Sequence, residues 1–533
     1  MNQIKAFQNI VGAENVLINN DNKIVLSTTF ATNKKILGII YPLSRKEIQR
    51  CIKLSNSLKV KIYPISTGKN IGFGGKVPTK DHCIIMDLSR MNKITDYNET
   101  LSYITVEPGV TQEQVVDFLS KNDSKLILSV TGSFKDSSII GNCLERGNTS
   151  GPLVERAEHI CNLGIVLPCG EYIKTGYGRF KNSQAKHINK YGLGPDLSGL
   201  FIQSNLGVVT ELTLWLSPKL KESEILMFNT INKKQLIDTL NTVRSLKSSD
   251  VINEVFLWND YKVSSIIQRY PFHLFEQTPL PEEWLNNFKD QYCLGAWNGS
   301  VILRSNSKLI NWCRKKTSKK MLRKFVNAFI GNKDIKFILI KLLKYPIEKL
   351  LNIKLNLMLE MVKSPFFSGK SSNLSIKSLY WRKKQLSDNS SVDNPNPESD
   401  QVGFIWCDVV IPLIGEDIAK VSEKVTNIII NHSFEPTLGI LCTNKRYAIL
   451  VNGITYDRMV DGEDKKAMEC HDSVLSYLEK SGYYPSRLGI QSMDKISKDC
   501  KSYNRVLRKL KLCLDPYDIL SPGRYDFRNH WKK

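Results

Sequence analysis

Twelve cysteines are present without a single C-x-x-C pair, so the spacing used by zinc ribbons and redox dithiols is missing. Scattered thiols of this kind suit a reducing compartment better than a disulfide framework. Histidine is scarce, seven in 533 residues, and no metal is expected. No uncharged apolar run is long enough to span a bilayer, so a transmembrane helix is not expected. The first twelve residues lack a basic segment followed by an apolar core and a small-residue cleavage site, so no secretory signal is read there. A cytoplasmic location is the expectation. No nucleic-acid-binding module is visible. The formal charge of +23 would attract phosphate-rich surfaces, but the excess is spread along the chain and no nucleic-acid partner is expected.

What is present describes a globular protein. Hydrophobic residues make up 41% and charged residues 24%, an ordinary balance with ample apolar surface to bury, and the length exceeds what one core holds. Up to Pro218 the texture is α+β. Residues 44–58 carry Ile48, Cys51, Ile52 and Leu54 at helical spacing, 81–88 and 102–106 read as strands, and Thr111 caps an amphipathic helix. Residues 161–167 and 208–216 read as further strands, the first ending in a hairpin turn at 168–171.

Beyond Pro218 the pattern changes. Residues 219–230 read as a connection to a helix at 233–246. Residues 305–363 read as helical and basic, with seven basic residues and no acidic one from Arg314 to Lys324. That stretch is read as a solvated face of helices, with docking on a membrane or an acidic electron-transfer partner as the alternative. Residues 387–401 read as an exposed loop. Residues 403–412 and 447–451 read as strands with an amphipathic helix at 416–431 between them, and 458–481 reads as helical.

The chemistry points to two glycine-bearing loops. Ser66-Thr67-Gly68-Lys69-Asn70-Ile71-Gly72-Phe73-Gly74-Gly75 follows a short strand, so its backbone N–H groups emerge at a strand end, where they can cradle a pyrophosphate. Its glycines permit positive φ and close backbone approach. The spacing matches neither G-x-G-x-x-G nor the Gly-Lys-Ser/Thr phosphate loop. The second loop is Gly141-Asn142-Cys143-Leu144-Glu145-Arg146-Gly147. A third segment, residues 191–218, is an apolar run punctuated by small residues that ends as an alternating strand. A ligand-free turn explains one loop alone; all three together suggest a phosphate-linked cofactor.

In this order the three segments resemble the FAD domain of the vanillyl-alcohol oxidase and p-cresol methylhydroxylase flavoproteins. Asp87-Leu88-Ser89-Arg90-Met91, Val106-Glu107-Pro108-Gly109-Val110-Thr111 and the closing Asp515-Pro516-Tyr517-Asp518-Ile519-Leu520-Ser521-Pro522-Gly523 carry the same likeness, and Leu379-Tyr380-Trp381-Arg382 resembles a patch of the family's cap. The likeness covers residues 1–217 and the carboxy-terminal segment well, and the middle in patches. It implies an α+β, two-domain flavoprotein of p-cresol methylhydroxylase type: an FAD domain over 1–222, a sheet-and-helix cap over 223–490, and a segment, 491–533, returning to the FAD domain. It further implies that Ser66, Thr67, Gly68, Lys69, Asn70, Ile71, Gly72, Gly74 and Gly75 bind the FAD diphosphate. Thr131, Gly132, Ser133, Ser137, Ser138, Gly141 and Asn142 would run along the flavin, with Val208 and Val209 as adenine or flavin-wall contacts. Glu145 and Arg146 match a family pair that a buried ion pair explains equally well.

On the substrate side the resemblance implies Phe73, Phe404, Trp406, Tyr447, Ser486 and Arg487. Relatives acting on 4-substituted phenols ionise the phenol with two tyrosines and an arginine. Here Arg487 stands on the arginine, while Ser486 and Phe73 replace the tyrosines; Tyr483 or Tyr484 could compensate. Ser133 stands where family oxidases place an aspartate, and a hydroxyl is no ready base at neutral pH. The substrate then needs no carboxylate-assisted step, or Glu155 or Asp136 has taken over. Phe404 occupies the position of a covalent flavin link, so noncovalent FAD is expected, with Cys143 and Cys407 as outside candidates for a thioether. Arg487, Ser133 and Tyr447 are the expected catalytic residues. The resulting expectation is an FAD-dependent oxidoreductase taking hydride from a small aromatic alcohol, phenol or specialised metabolite, reoxidised by oxygen, and forming a homo-oligomer. A dehydrogenase with a protein acceptor and a non-enzymatic membrane-binding protein are the alternatives.

Overall fold

A computed structural model of the chain describes residues 2–19, 24, 26–219, 222–252, 254–276, 278–292, 294–305, 312–313, 315–317, 328–332, 370–385, 395–496 and 500–526. The chain divides into two units. The first is Met1–Thr149, Glu155–Pro218 and Arg487–Lys533; the second is Ser150–Val154 and Lys219–Ser486.

The first unit is built on two sheets. Val16–Ile18 (β1), Ile36–Ile40 (β2), Lys61–Ile65 (β3) and Cys83–Asp87 (β4) lie in the order β1-β2-β4-β3. β4 runs parallel to both neighbours and is buried along its whole length, as a strand covered on both faces must be. The crossover to β3 is helix Arg45–Leu58 (α1). Its N-cap Ser44 accepts a hydrogen bond from the Glu47 N–H at 3.2 Å, and Ile48, Cys51, Ile52 and Ser55 turn inward at three- and four-residue spacing, the stripe that faces a core.

The second sheet holds Ile94–Asn98 (β5), Tyr103–Val106 (β6), Ile160–Val166 (β7), Tyr172–Lys174 (β8) and Val208–Trp215 (β9), antiparallel in the order β5-β6-β9-β7-β8. Helices Gln112–Lys121 (α2) and Ile139–Leu144 (α3) share its core through Val115, Leu119, Ile139 and Cys143. α2 opens on a capping box in which Thr111 and Gln114 satisfy each other's backbone N–H, closing off orphan donors of the first turn.

The carboxy-terminal segment completes the parallel sheet. After helix Lys501–Leu514, the Ile62 N–H donates to the Ile519 carbonyl at 2.7 Å and the Ser521 N–H to the Ile62 carbonyl at 2.8 Å. Lys511 pins this return. Its Nζ, in a side chain only 3% exposed, reaches Asp515 at 2.6 Å and the carbonyls of Asn205 and Leu520 at 2.9 and 2.8 Å. Breaking a buried pair from one side leaves the other charge uncompensated, so Lys511→Met is expected to lower unfolding free energy by about 3 kcal/mol. A urea titration checks it; an unchanged midpoint would refute the role.

The second unit is a large antiparallel sheet. Its described strands are Glu222–Thr230 (β10), Glu254–Asn259 (β11), Trp297–Ser305 (β12), Ala328–Asn332 (β13), Val402–Trp406 (β14), Val409–Pro412 (β15), Thr437–Leu441 (β16) and Tyr447–Asp457 (β17). They run β13-β10-β12-β11-β16-β17-β14, with β15 also on β17. Helices Lys233–Ser248 (α4), Gly415–Asn431 (α5) and Glu463–Lys480 (α6) accompany it, α5 packing against both α4 and α6. Aromatic rings lie across glycines of the neighbouring strand: Phe228 over Gly299, Trp258 over Gly439 and Tyr456 over Gly403, each ring filling the space that a Cβ would take. Glycine in a strand commonly marks such a close approach.

Several sequence expectations change in this unit. Residues 222–230, part of the 219–230 stretch read as a connection, form a strand paired on both sides, so tertiary pairing overrules the polar start Glu222-Ser223-Glu224. Residues 403–412 split at Cys407 and Asp408 into β14 and β15, both paired to β17. The helix read from 458 begins at Glu463, after Gly462 at φ 77°. Within the stretch read as helical, Ala328–Asn332 is a strand. Arg314, residues 318–324, 337–345 and 350–361, and 387–394 of the loop read at 387–401 lie outside the described residues. No helix among the described residues is long and apolar enough to cross a bilayer.

Candidate functional site

The first glycine loop leaves the carboxyl end of β3, where a parallel sheet presents ligands. Gly68, Gly72, Gly74 and Gly75 all have positive φ. The loop folds on itself through Asn70, whose carbonyl accepts from the N–H of Phe73 and of Gly75, both at 3.1 Å. Thr29 braces it by accepting from the Gly72 N–H at 3.2 Å. The N–H groups of Gly68, Lys69, Asn70 and Ile71 donate to no acceptor among the described residues. Consecutive unspent donors of this kind form an anion-binding concavity.

The segment from Thr131 to Asn142 is held beside that loop. Ser138 caps α3 by accepting from the Gly141 N–H at 3.0 Å, and its own N–H donates to Thr67 Oγ1 at 3.1 Å. A Cβ on Gly141 would stand 2.6 Å from Ser66 Oγ, so the two loops approach closely there. Lys69 Nζ lies 3.1 Å from Asp136 and 4.8 Å above the Phe134 ring. Ser133 Oγ shares a hydrogen bond with Ser137 Oγ at 2.9 Å, and the Ser133 N–H donates to Thr131 Oγ1 at 3.3 Å. Glu155 stands at the start of a short 3-10 turn.

Arg487 joins the same group. Its Nη2 donates to Asn70 Oδ1 and its guanidinium lies 3.9 Å from the centroid of the Phe73 ring. Nε is buried and has no hydrogen-bond partner among the described residues. A buried guanidinium donor left unspent is costly, which suits a site waiting for an anionic or strongly accepting ligand. The Ile490 N–H donates to the Phe73 carbonyl at 3.0 Å, so the Arg487 loop and the glycine loop are laced together.

Sequence reasoning missed three supports. Gln112, fully buried, accepts from the Thr131 N–H at 3.0 Å and donates to the Phe134 carbonyl at 2.8 Å. Thr29 comes from a segment that carries no motif. Arg156, 3% exposed, donates to Asn142 Oδ1 at 3.0 Å and to the Ser129 carbonyl, while its Nε has no partner among the described residues. Burial lowers its pKa, with Cys143 opposing. A polar residue on the inward stripe of an amphipathic helix was the available signal for Gln112.

The other expected residues have different surroundings. Val208 and Val209 are buried, the first in the core that holds Ile62 and Ile84, the second in that of the antiparallel sheet. Glu145 meets Arg524 and accepts from Tyr525 Oη at 3.0 Å, while Arg146 takes a positive φ of 52°. In the second unit Phe404 is 1% exposed and edge-on to Trp406 at 4.6 Å between centroids. Tyr447 opens β17, opposite Pro412, and Ser486 is the last residue of that unit. Tyr484 is exposed, its carbonyl accepting from the Val410 N–H at 3.1 Å. Burial pushes the Cys143 thiol up to about 12 and raises that of Cys407, which Asp408 raises further. Both are thiols at neutral pH.

A sequence profile for an FAD binding domain matches residues 36–176. The chain is 38% identical over 534 residues to the 1'-carboxy-chondrochloren decarboxylase of Chondromyces crocatus, covering 99% of this chain and 97% of that protein. It is 25% identical over 537 residues to the 4-cresol dehydrogenase (hydroxylating) flavoprotein subunit of Pseudomonas putida, covering 98% and 94%. Among solved structures, p-cresol methylhydroxylase with substrate bound superposes with a TM-score of 0.85 at 23% identity, covering 98% and 96% of the two chains. The 4-ethylphenol oxidase from Gulosibacter chungangensis, in an isoeugenol complex, does so at 0.86 and 21%, covering 99% and 97%.

Proposed function

We infer from its place among the p-cresol methylhydroxylase-type FAD flavoproteins, the family to which this chain belongs, that it oxidises a small organic substrate carrying an aromatic ring or an anionic group. FAD is its cofactor, and when bound it supplies the two-electron acceptor that takes a hydride from a substrate carbon. The observation that carries the reading is the meeting of three elements in one unit: the unspent N–H groups after β3, the Ser133–Asn142 segment, and Arg487 over Phe73. The glycine loop would hold the diphosphate. Thr131, Ser137 and Ser138, braced by Gln112, would line the flavin. Arg487 would draw a carboxylate, phenolate or enolate through Nε by a charge-assisted hydrogen bond.

A narrower reading is favoured by the 38% identical relative, which is named as a decarboxylase. Ser133 leaves the site without a carboxylate at that position, and its hydroxyl is engaged with Ser137. A substrate bearing a carboxylate on the carbon adjacent to the oxidised one needs no base. As hydride leaves one carbon, the C–C bond to the carboxylate breaks, CO2 departs, and the freed electron pair forms a C=C bond. Arg487 would orient that carboxylate before it is lost. Oxygen as final acceptor is the simpler expectation; a protein acceptor is the alternative, since one relative is a dehydrogenase flavoprotein subunit.

Anaerobic mixing with phenolic substrates, with and without a carboxylate on the carbon adjacent to the benzylic one, tests the reading. Bleaching near roughly 450 nm, where oxidised flavins absorb, followed by recovery in air marks an oxidase; bleaching without recovery marks another acceptor. Release of CO2 in proportion to bleaching supports the narrower reading, and bleaching without CO2 removes it. No bleaching with any member of either series would sink the broader one. Acid precipitation is expected to leave a yellow supernatant, because the aligned position holds Phe404, which offers no group for a covalent link. A yellow pellet would contradict that.

A further inference from the structure

Tyr525 lies in the left-handed region at φ 49°, an uncommon conformation for an aromatic residue, one that surrounding contacts must hold in place. Those contacts form a chain. Tyr525 Oη donates to Glu145 Oε2 at 3.0 Å and accepts from the Leu488 N–H at 3.2 Å. Glu145 Oε1 accepts from Arg524 Nη2, and Arg524 Nη1 donates to Tyr63 Oη at 2.7 Å, in β3. Glu145 is the residue just after α3, and Leu488 is the neighbour of Arg487. Burial raises Tyr525 and, second, so does Glu145; burial is the largest influence on Arg524 and lowers it, but Glu145, Tyr63 and Tyr525 together more than offset it and hold Arg524 above its ordinary value. Tyr525 therefore stays a neutral hydroxyl able to donate and accept at once, and Arg524 a cation.

Consequently the backbone at Leu488 is gripped from below by a hydroxyl whose own position is fixed by an ion pair. From the other side the loop is gripped by the glycine loop, through the bond from the Ile490 N–H to the Phe73 carbonyl and through the Ile490 side chain, which fills the space above Gly74. Arg487 immediately precedes these two grips, at Leu488 and Ile490.

We propose that Tyr525 and Glu145 are positioning residues: together they set the height and tilt of Arg487 over Phe73, and with it the enzyme's preference for an anionic over a neutral substrate. The inference rests on the reading of Arg487 as the anion-binding group. Neither residue needs to touch the ligand. Tyr525→Phe removes one oxygen, freeing the Leu488 N–H and one oxygen of Glu145 while the ring stays, so the loop loses its lower grip.

The test uses the flavin-loaded full chain, with benzoate as the anionic probe and benzamide as its neutral counterpart, each titrated against the visible flavin spectrum. The unsubstituted protein is expected to bind benzoate more tightly. In Tyr525→Phe that preference should shrink by about tenfold, the scale of a lost hydrogen bond on a charged recognition group, with flavin content and melting temperature nearly unchanged. Glu145→Gln, which keeps an oxygen acceptor for Tyr525 but loses the charge that fixes Arg524, should show a smaller shift in the same direction. Should Tyr525→Phe yield no folded protein, Glu145→Gln decides alone. Arg487→Met is the reference and should abolish the preference. If Arg487→Met abolishes it while Tyr525→Phe and Glu145→Gln keep it whole, the positioning role is wrong and the reading of Arg487 stands. If Arg487→Met keeps it, both fall.

Discussion

Arg487→Met is expected to reduce kcat/KM by roughly two to three orders of magnitude, a loss of about 3–4 kcal/mol in transition-state stabilisation. The guanidinium is already spent on one side: Nη2 is taken by Asn70, and the face rests on Phe73. The buried Nε is left without a hydrogen-bond partner among the described residues and is free to meet a ligand. Methionine would fill much of the volume over Phe73 but leave both Asn70 Oδ1 and an incoming anion without a donor, and an unmet buried charge is far more costly than a lost surface contact. Lysine should recover little, since a point charge on a flexible stem reproduces neither the planar stacking nor the fork. Steady-state rates with the substrate identified by anaerobic bleaching provide the measurement, with flavin content as the control. Rates within a few-fold of the unsubstituted enzyme would remove Arg487 from the active site.

The second large effect is expected at Gly141. Gly141→Val would bring a branched side chain to a point where even a Cβ stands 2.6 Å from Ser66 Oγ. Ser66 begins the cofactor loop, and the adjoining Thr67 holds the Ser138 N–H at 3.1 Å, so the added methyl groups must pry the two segments apart. Overpacking of this sort costs about 3 kcal/mol, which corresponds to roughly a hundredfold weaker FAD binding. The purified variant should emerge colourless and regain flavin only at high added concentration. Gly199→Ala is the contrast, since nothing lies within 4 Å of its Cβ position, and it should stay yellow. A yellow Gly141→Val protein with ordinary affinity would mean that the two loops do not meet around the cofactor.

The parts of this molecule that local chemistry dictates were readable in its residues. Ser44 and Thr111 start their helices where a side-chain oxygen precedes an amphipathic run, and the glycines from Gly68 to Gly75 adopt the positive φ that their clustering implied. The FAD family was legible because three such segments recur in one order. What was not legible depends on distant partners. Glu222–Thr230 looks like a polar connection until strands on both sides claim its backbone. Gln112, Thr29 and Arg156 support the candidate site from stretches with no motif, and only the folded chain carries them to Thr131, Gly72 and Asn142. Tyr525 is the clearest instance, hundreds of residues in sequence from the Glu145 carboxylate that it meets.

The rings seated on glycines in the second unit bear on how that sheet is assembled. Backbone pairing alone tolerates a slide of two residues, since the alternation of faces is preserved and the bonds merely reform. Here such a slide would drive Phe228, Trp258 and Tyr456 off Gly299, Gly439 and Gly403 and onto side chains that occupy the same room. Misthreaded arrangements are thereby penalised at several points at once, so a nascent chain sampling alternatives has only one alignment in which every tooth finds its notch.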